Sequence, residues 1–185
     1  MNRASQLILS IFLLAGLSGC MLLNNVVRIT ETEAAVPDIN RSVVIFGIGV
    51  EGAWEYPRFA VVLDEYDTER QSITGNCWRY NKMEASVPKG SRAVQRFAFE
   101  VEPGYYSFSG FNAVKLVGPS AFLAPAEQIV YLGDFIYSGE RTVVLRRSDD
   151  TMKREVIKEY SNLADKITCA KAISVAAPKG FLCTP

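Results

Sequence analysis

Histidine is absent from this sequence of 185 residues. Without an imidazole the chain cannot build a Ser-His-Asp or Cys-His catalytic arrangement, because histidine is the proton-transfer group in both. The chain also lacks the commonest protein ligand of zinc, copper and non-haem iron. We therefore predict a chain that is not an enzyme and that carries neither a metal ion nor another cofactor.

An excess of charge of either sign is also lacking, since 20 basic residues balance 20 acidic ones. Proteins that bind nucleic acid usually carry a basic excess, which attracts the phosphate backbone. The segment GIGVEG at residues 47–52 has closely spaced glycines, but no helical pattern follows it as it would in a dinucleotide-binding loop. We expect no nucleic-acid partner, and we interpret the glycine segment as strand and turn.

The apolar run near the start of the chain is too short to cross a membrane. LILSIFLLA, at residues 7–15, falls well short of the ~20 apolar residues that span a bilayer. Its length, and the positive charge of Arg3 before it, are typical of a signal peptide. The residues that follow, LSGC at 17–20, resemble the lipobox of bacterial lipoproteins, in which small residues precede a cysteine.

The lipobox resemblance implies cleavage between Gly19 and Cys20 and transfer of a diacylglyceryl group to the Cys20 thiol, with a fatty acid such as palmitate on the new amino terminus. Several acyl chains on one residue make a lasting membrane anchor, whereas a single chain binds weakly. Met21 stands where aspartate would imply retention in the inner membrane, so the resemblance implies a bacterial outer-membrane address facing the periplasm. The alternative is an ordinary secretory signal with an incidental cysteine.

Three cysteines remain after Cys20, and the oxidising cell envelope favours disulfides. Cys169 and Cys183 lie close in sequence, and the segment between them contains a proline and a glycine that can turn the chain back. We predict a disulfide between these two, worth on the order of 3 kcal/mol if unstrained. Cys77 would then be a buried thiol, and the alternative pairs Cys77 with either of the two later cysteines.

Removal of the signal peptide, residues 1–19, leaves a length of chain typical of one domain. We interpret residues 20–40 as a lipidated cysteine and tether, because they show no sustained periodicity and end near a proline. Residues 41–50 are typical of a central strand buried on both faces, and residues 58–67 predict a strand that runs into an acidic turn.

Turn residues predict two strand pairs within the domain at 41–147. Apolar residues alternate along 92–104, and Pro103-Gly104 then predicts a hairpin with the strand that begins at Tyr105. Residues 127–137 and 141–147 predict a second pair across a short glycine-containing connection. Several strands at this spacing predict an antiparallel β-sandwich or a small barrel.

Helical periodicity is found only in the last segment, residues 148–185, which we interpret as a helix and a disulfide-closed tail. Ser148 or Asp149 can cap the helix at its amino end. The apolar residues that recur at helical spacing are Met152, Val156, Tyr160, Leu163 and Ile167. We expect this stripe to cover a sheet face or an open end of the sandwich, so the fold class is mainly β with one C-terminal α-helix.

Two segments carry a second resemblance. VEPGYYSFSGF (101–111) and EQIVYLGDFIY (127–137) resemble turn-and-strand segments of uncharacterised β-sandwich lipoproteins and of transthyretin-like, Ig-like or carboxypeptidase-regulatory-like modules. The shared residues are structural, since they set a turn or pack in a core. The resemblance therefore implies a sandwich and carries over no catalytic residue.

Acidic and aromatic residues are the candidates for a site. The acids Asp64, Glu65, Asp67 and Glu69 lack the spacing of a calcium loop, so we interpret them as solvated turn charges. The candidate contacts for a ligand or partner are the loop aromatics Trp54, Tyr56, Trp78 and Tyr80. Alternatively, these rings complete the core or lie at the membrane interface.

These observations favour a non-enzymatic, membrane-anchored envelope lipoprotein whose sandwich binds another envelope protein or supports an assembly, through a sheet edge or a loop rim. The alternative is a receptor for a small ligand or glycan that uses the loop aromatics. A hydrolase built on two carboxylates is a third hypothesis, and it requires both acids to line one cavity.

Overall fold

A computed structural model of the chain describes residues 24–30, 32–33, 37–75, 79–91, 93–110 and 114–177, and it describes 149–153 and 164–165 by their backbone alone. The strands are β1 (Val27–Ile29), β2 (Ser42–Val50), β3 (Arg58–Asp67), β4 (Ser72–Ile73), β5 (Lys82–Pro88), β6 (Gln95–Val101), β7 (Gly104–Ser109), β8 (Lys115–Val117), β9 (Ala121–Ala124), β10 (Ile129–Gly139), β11 (Thr142–Arg146), β12 (Ile167–Cys169) and β13 (Ala172–Ile173). The helix α1 spans Asp149–Glu159, and a 3₁₀ helix spans Ser161–Lys166.

Two open sheets form the predicted β-sandwich. Sheet 1 has the strand order β1-β6-β2-β10-β11-β8, with β12 beside β10. Sheet 2 has the order β13-β9-β7-β3-β4, with β5 beside β3. The predicted class, mainly β with one helix near the carboxyl end, is confirmed, and of the two predicted forms the sandwich rather than the closed barrel is present.

Aromatic rings from both sheets fill the space between them. Phe135 on β10 lies at the centre, with its ring centroid 5.8 Å from that of Phe46 on the same sheet. Across the core it contacts Phe108 and Phe122 of sheet 2, at 5.7 and 5.8 Å. Offset and edge-to-face pairs of this kind add to the stabilisation that comes from burying apolar area. Phe135 therefore joins the two sheets.

Both faces of β2 are covered, as the sequence predicts for residues 41–50. Every residue of this strand is buried. Val44, Phe46 and Ile48 lie in the core between the sheets, whereas Val43 and Ile45 belong to a second apolar cluster on the outer face of sheet 1. A strand that is covered on one face only alternates apolar and polar residues. Because β2 is covered on both faces, it is apolar along nearly its whole length.

The helix α1 covers that outer face, as its apolar stripe predicts. The second cluster combines residues of α1, of the segment after it and of sheet 1: Val43, Ile45, Ala98, Ile129, Tyr131, Val156, Tyr160, Leu163 and Ile167. The predicted stripe includes Ile167, but α1 ends at Glu159, and Ile167 is the first residue of β12. None of the helices among the described residues is long and apolar enough to span a membrane.

The hairpin predicted around Pro103-Gly104 is wrong. The strand before this turn, β6, lies in sheet 1, and the strand after it, β7, lies in sheet 2. The turn therefore carries the chain across the core. The same turn residues suit a hairpin and a crossing between sheets, and here Phe99 on β6 and Phe108 on β7 bury their rings in one core from opposite sides.

The second predicted pair, residues 127–137 with 141–147, is confirmed as β10 and β11. Sheet 1 additionally contains three parallel pairs, β2 with β10, β8 with β11 and β10 with β12, which the sequence did not indicate. The strands of each parallel pair are separated by long connections, and local sequence patterns carry no information about such pairings.

Part of the predicted tether belongs to the folded domain. Val27–Ile29 form β1, which pairs antiparallel with β6 and makes one edge of sheet 1. Three residues are too few to show an alternation in the sequence, which explains why this strand was not predicted.

Candidate functional site

The loop after β2 and the turn after β10 meet at one end of the sandwich. Because β2 and β10 run parallel, with Val50 opposite Tyr137, both strands leave sheet 1 at the same end. The backbone N–H groups of Glu51 and Gly52 donate to the Tyr137 carbonyl at 2.9 and 3.1 Å. A Cβ at Gly52 would lie 2.7 Å from Gly139 Cα, so glycine is required for this close approach.

Trp54 in this loop completes the core. Only 8% of the residue is exposed, and its Nε1 donates to the carbonyl of Arg58 at 2.7 Å. Its ring makes edge-to-face contacts with Phe59 and Tyr137, at centroid distances of 5.1 and 4.8 Å. The indole therefore has its hydrogen-bond partner and its packing neighbours within the domain.

Tyr56 lies over Trp54 and is 52% exposed. The two ring centroids are 5.3 Å apart, so Tyr56 lies between the indole and solvent. Beside them is a cavity of about 270 Å³, whose lining we call the aromatic rim; it consists of Ala53, Trp54, Glu55, Tyr56, Tyr137, Glu140 and Arg141. The rim thus combines an exposed aromatic ring with side chains of both charges.

The turn that carries Glu140 and Arg141 has an unusual backbone. These residues connect β10 to β11 with φ of 49° and 56°. Two central residues at positive φ are typical of a type I′ hairpin turn, where asparagine and glycine are favoured. A non-glycine residue in this region costs about 1–2 kcal/mol. The turn is held by Lys115, whose N–H donates to the Arg141 carbonyl at 2.7 Å.

The four loop aromatics do not form one cluster. Trp54 and Tyr56 are together, but Tyr80 lies near the other end of β3, because Arg58 pairs with Pro88 and Asp64 pairs with Lys82. Six residue steps along β3 separate Arg58 from Asp64, or about 20 Å at ~3.3 Å per residue. Trp78 lies outside the described residues.

The cysteine predictions also concern mainly residues that the structure does not describe. Gly19, Cys20, Cys77 and Cys183 are outside the described part of the chain, whereas Cys169 is the last residue of β12. Cleavage after Gly19, lipidation of Cys20 and the Cys169–Cys183 disulfide therefore stay predictions.

Two glutamates line one cavity at the end of the sandwich opposite the aromatic rim. The side-chain nitrogen of buried Asn81 donates to Glu65 at 2.8 Å and to Glu102 at 3.1 Å. Hydrogen bonds from Asn25 foremost, then from Asn81, and the charge of Arg79 lower the pKa of Glu102. Local sequence patterns do not indicate this pair, because Glu102 is far from Glu65 in the chain. A hydrolase built on two carboxylates keeps one of them protonated and the other ionised, and the lowered pKa of Glu102 keeps that group ionised.

The acidic residues at the end of β3 hydrogen-bond to neighbouring groups of the domain. Asp67 accepts the backbone N–H groups of Glu69 and Arg70, at 2.8 and 2.9 Å, and thereby closes the turn. The prediction that Asp64 is a solvated turn charge is wrong, because this residue is buried and its carboxylate accepts a hydrogen bond from the Ser109 hydroxyl on β7. Burial raises the pKa of Asp64. Within the described part of the chain, no group of three or more acidic or cysteine side chains is placed to bind a metal ion.

A buried ionic cluster under α1 is the second arrangement that the sequence analysis missed. Only 7% of the Arg96 side chain is exposed, and its guanidinium pairs with Asp134 at 3.3 Å, Glu159 at 3.2 Å and Glu155. Burial alone would lower the pKa of Arg96, but the carboxylates, Asp134 foremost, raise it above its ordinary value. The cluster therefore attaches α1 to sheet 1 by charge as well as by apolar contact.

A glycine in the central strand makes room for this cluster. Gly47 on β2 lies opposite Arg96 on one side and Asp134 on the other. A Cβ at Gly47 would lie 2.8 Å from Asp134 Cγ and closer still to its Oδ1. The sequence signal was Gly47 itself, since a glycine within a strand often marks a close approach.

The aromatic rim presents a half-exposed aromatic ring together with side chains of both charges. Tyrosine, tryptophan and arginine are the residues most enriched at the energetic centres of protein interfaces. No family model, curated protein or solved structure matches this chain. The resemblances to lipobox lipoproteins and to transthyretin-like modules therefore rest on the sequence segments quoted above.

Proposed function

We propose that this protein is a lipid-anchored envelope lipoprotein whose sandwich is a non-enzymatic module for binding another envelope protein, and that the aromatic rim is the contact surface. The observation that carries the proposal is Tyr56, half-exposed over Trp54 and flanked by Glu55, Glu140 and Arg141. The lipobox resemblance at residues 17–20 supports the anchor.

A loop rim suits this role better than the edge strand β5. The backbone N–H and carbonyl of Lys82 already bond to the side chain of Asn24, at 3.1 and 2.8 Å. The Ser86 carbonyl accepts Arg58 Nη2 at 2.8 Å, and Pro88 has no N–H to donate. Addition of a partner strand would need these groups, so β5 is protected against strand addition in the way that natural edges commonly are.

A receptor for a small ligand or a glycan is the second candidate, because the rim also encloses a cavity. Its volume of about 270 Å³ is at the lower limit of ligand pockets, which usually measure ~300–1,000 Å³. Tyr56 covers Trp54, so one ring rather than two is available for stacking on a sugar. Both features favour a protein partner.

The anchor is tested by replacing Cys20 with serine. We expect the natural protein to remain with membranes, and its amino-terminal peptide to carry the mass of a diacylglyceryl group and a fatty acid. The Cys20→Ser variant should appear in the soluble fraction, because its thiol is lost. A wild-type peptide without lipid, or equal membrane retention of the variant, would contradict the proposed anchor.

The rim is tested by photo-crosslinking in growing cells. A photoreactive phenylalanine analogue at Tyr56 should give a discrete adduct with one envelope protein, and the same analogue at exposed Val117 on β8 serves as the control. With the partner identified, Tyr56→Ala should weaken binding about 30-fold, the effect of losing ~2 kcal/mol at an interface centre. The proposal is wrong if position 56 gives no protein adduct or the same adducts as position 117.

A further inference from the structure

The first described residues are bound to the domain by their side chains. The Asn24 amide makes two hydrogen bonds to the backbone of Lys82, donating to its carbonyl at 2.8 Å and accepting its N–H at 3.1 Å. The Asn24 amide thus makes, at the start of β5, the two backbone hydrogen bonds that a neighbouring strand would otherwise make. This contact joins residue 24 to sheet 2.

Asn25 continues the attachment. Its side chain donates to Glu102 at 2.9 Å, its backbone N–H donates to the Asn81 side chain at 3.3 Å, and its carbonyl accepts Arg41 Nη2 at 2.8 Å. The strand β1 follows at once and pairs with β6 in sheet 1. Residues 24–29 are therefore fixed to both sheets of the sandwich, although the sequence predicted a tether that spans residues 20–40.

This attachment shortens the distance between the proposed lipid and the domain. Three residues, Met21, Leu22 and Leu23, separate Cys20 from Asn24, and all three are apolar. Four residue steps reach about 14 Å when fully extended, whereas the predicted tether of residues 20–40 would reach about 70 Å. A link of 14 Å is less than half the length of β3, which is about 33 Å for its ten residues.

An exposed apolar side chain lies at the same end of the sandwich. The Arg41 N–H donates to the Asp38 carbonyl at 2.9 Å and closes a turn, with Asn40 at φ 65°. Ile39 lies at the tip of this turn and is 79% exposed, although turn tips usually carry polar residues. Since Arg41 also binds the Asn25 carbonyl, the turn and the attached segment are neighbours.

We infer that the end of the sandwich that carries Asn24 and Ile39 rests on the lipid leaflet, and that the aromatic rim points away from it. This inference depends on the proposed lipidation of Cys20. The short link holds this end at the membrane surface, and Ile39 enters the interface between head groups and acyl chains. Tyr56 is then at the opposite end, where it is free to meet a partner.

Lipid crosslinking with the full, lipidated chain tests the orientation. A photoreactive phenylalanine analogue is placed at Ile39 in one variant and at Tyr56 in a second, and adducts in native membranes are identified by mass spectrometry. We expect phospholipid adducts in the variant labelled at position 39 and none in the variant labelled at position 56. Equal lipid adducts at both positions, or none at position 39, would overturn the inference if the Cys20 peptide still carries lipid. A Cys20 peptide without lipid would instead refute the proposed anchor, and the orientation with it.

A second pair of variants tests whether the asparagines set the orientation. Asn24→Ala with Asn25→Ala frees the chain as far as β1 and lengthens the link to about 25 Å. We expect lipid adducts at position 39 to fall in this variant. Thr30→Ala with Thr32→Ala is the matched control, because these hydroxyls bond only to each other and to Glu33 in the described structure. If the asparagine variant melts at the wild-type temperature and its yield of lipid adducts at position 39 is unchanged, the attachment does not set the orientation. If this variant does not fold, the comparison of positions 39 and 56 in the otherwise unchanged chain decides the orientation.

Discussion

Gly47→Ala is a small change that should have a large effect on stability. The added methyl group would lie 2.8 Å from Asp134 Cγ and 2.7 Å from Val94 Cγ1. Asp134 would have to move away, and it would lose its ion pair with Arg96 and the hydrogen bond donated by Tyr131.

The expected cost follows from two opposing effects. Disruption of a buried ion pair usually costs about 3–5 kcal/mol. Alanine in a strand is otherwise favoured over glycine by about 0.5–1 kcal/mol, because the unfolded chain has less freedom to lose. We therefore expect Gly47→Ala to lower the free energy of unfolding by about 2–4 kcal/mol.

Urea unfolding followed by circular dichroism measures this free energy, on a chain that starts at residue 20 and carries Cys20→Ser. Gly104→Ala is the matched control, since the nearest atom to its added Cβ is Glu65 Oε1 at 3.9 Å, and it should stabilise the chain by at most about 1 kcal/mol, the preference for alanine in a strand. In an Asp134→Ala background the cost of Gly47→Ala should fall, because the displaced carboxylate is gone. Equal costs in both backgrounds, or a stable Gly47→Ala variant, would refute the steric explanation.

Two further predictions concern the core and the end near the amino terminus. Phe135→Ala should lower the free energy of unfolding by about 3–5 kcal/mol, since it leaves a cavity among rings from both sheets; an effect below about 1 kcal/mol in the same urea assay would contradict its central position. Because the pKa of Glu102 is lowered in the folded chain, its charge stabilises the fold at pH 7, and this contribution is lost as the pH falls from about 5 through the lowered pKa. Glu102→Gln should therefore be less stable than wild type at pH 7 and indistinguishable from it at low pH, and a difference that is independent of pH would argue against this linkage.

The positions of six strands, β2, β3, β6, β7, β10 and β11, could be predicted because the relevant signals are local. The apolar run at residues 41–50 and the strand at residues 58–67 each lie within one element, and both strands are present, although the acidic end that was predicted as a turn continues the strand as far as Asp67. The apolar stripe of α1 likewise identified which face of the helix is buried, because helical spacing is read from neighbouring turns. Trp54 and Tyr56 lie together because both belong to one loop.

The incorrect and missing predictions concern contacts between distant residues. Pro103-Gly104 specify a change of direction but not the sheet that the next strand joins. The Arg96 cluster brings together residues of β6, β10 and α1, and only the pairing of β2 with both strands places Gly47 between Arg96 and Asp134. Tyr80 was grouped with Trp54 because both lie in or beside predicted loops, yet β3 separates them along its length.

By itself, the sequence determined the strand-rich class, the buried central strand and the helix that covers it, because alternation and helical spacing depend on residues a few positions apart. The tertiary structure alone decided the mixed pairing of sheet 1, the crossing between sheets at Pro103-Gly104 and the attachment of residues 24–29. The physical reason is that backbone hydrogen bonds can join any two strands equally well. The burial of side chains from both sheets in one core then selects which strands lie side by side.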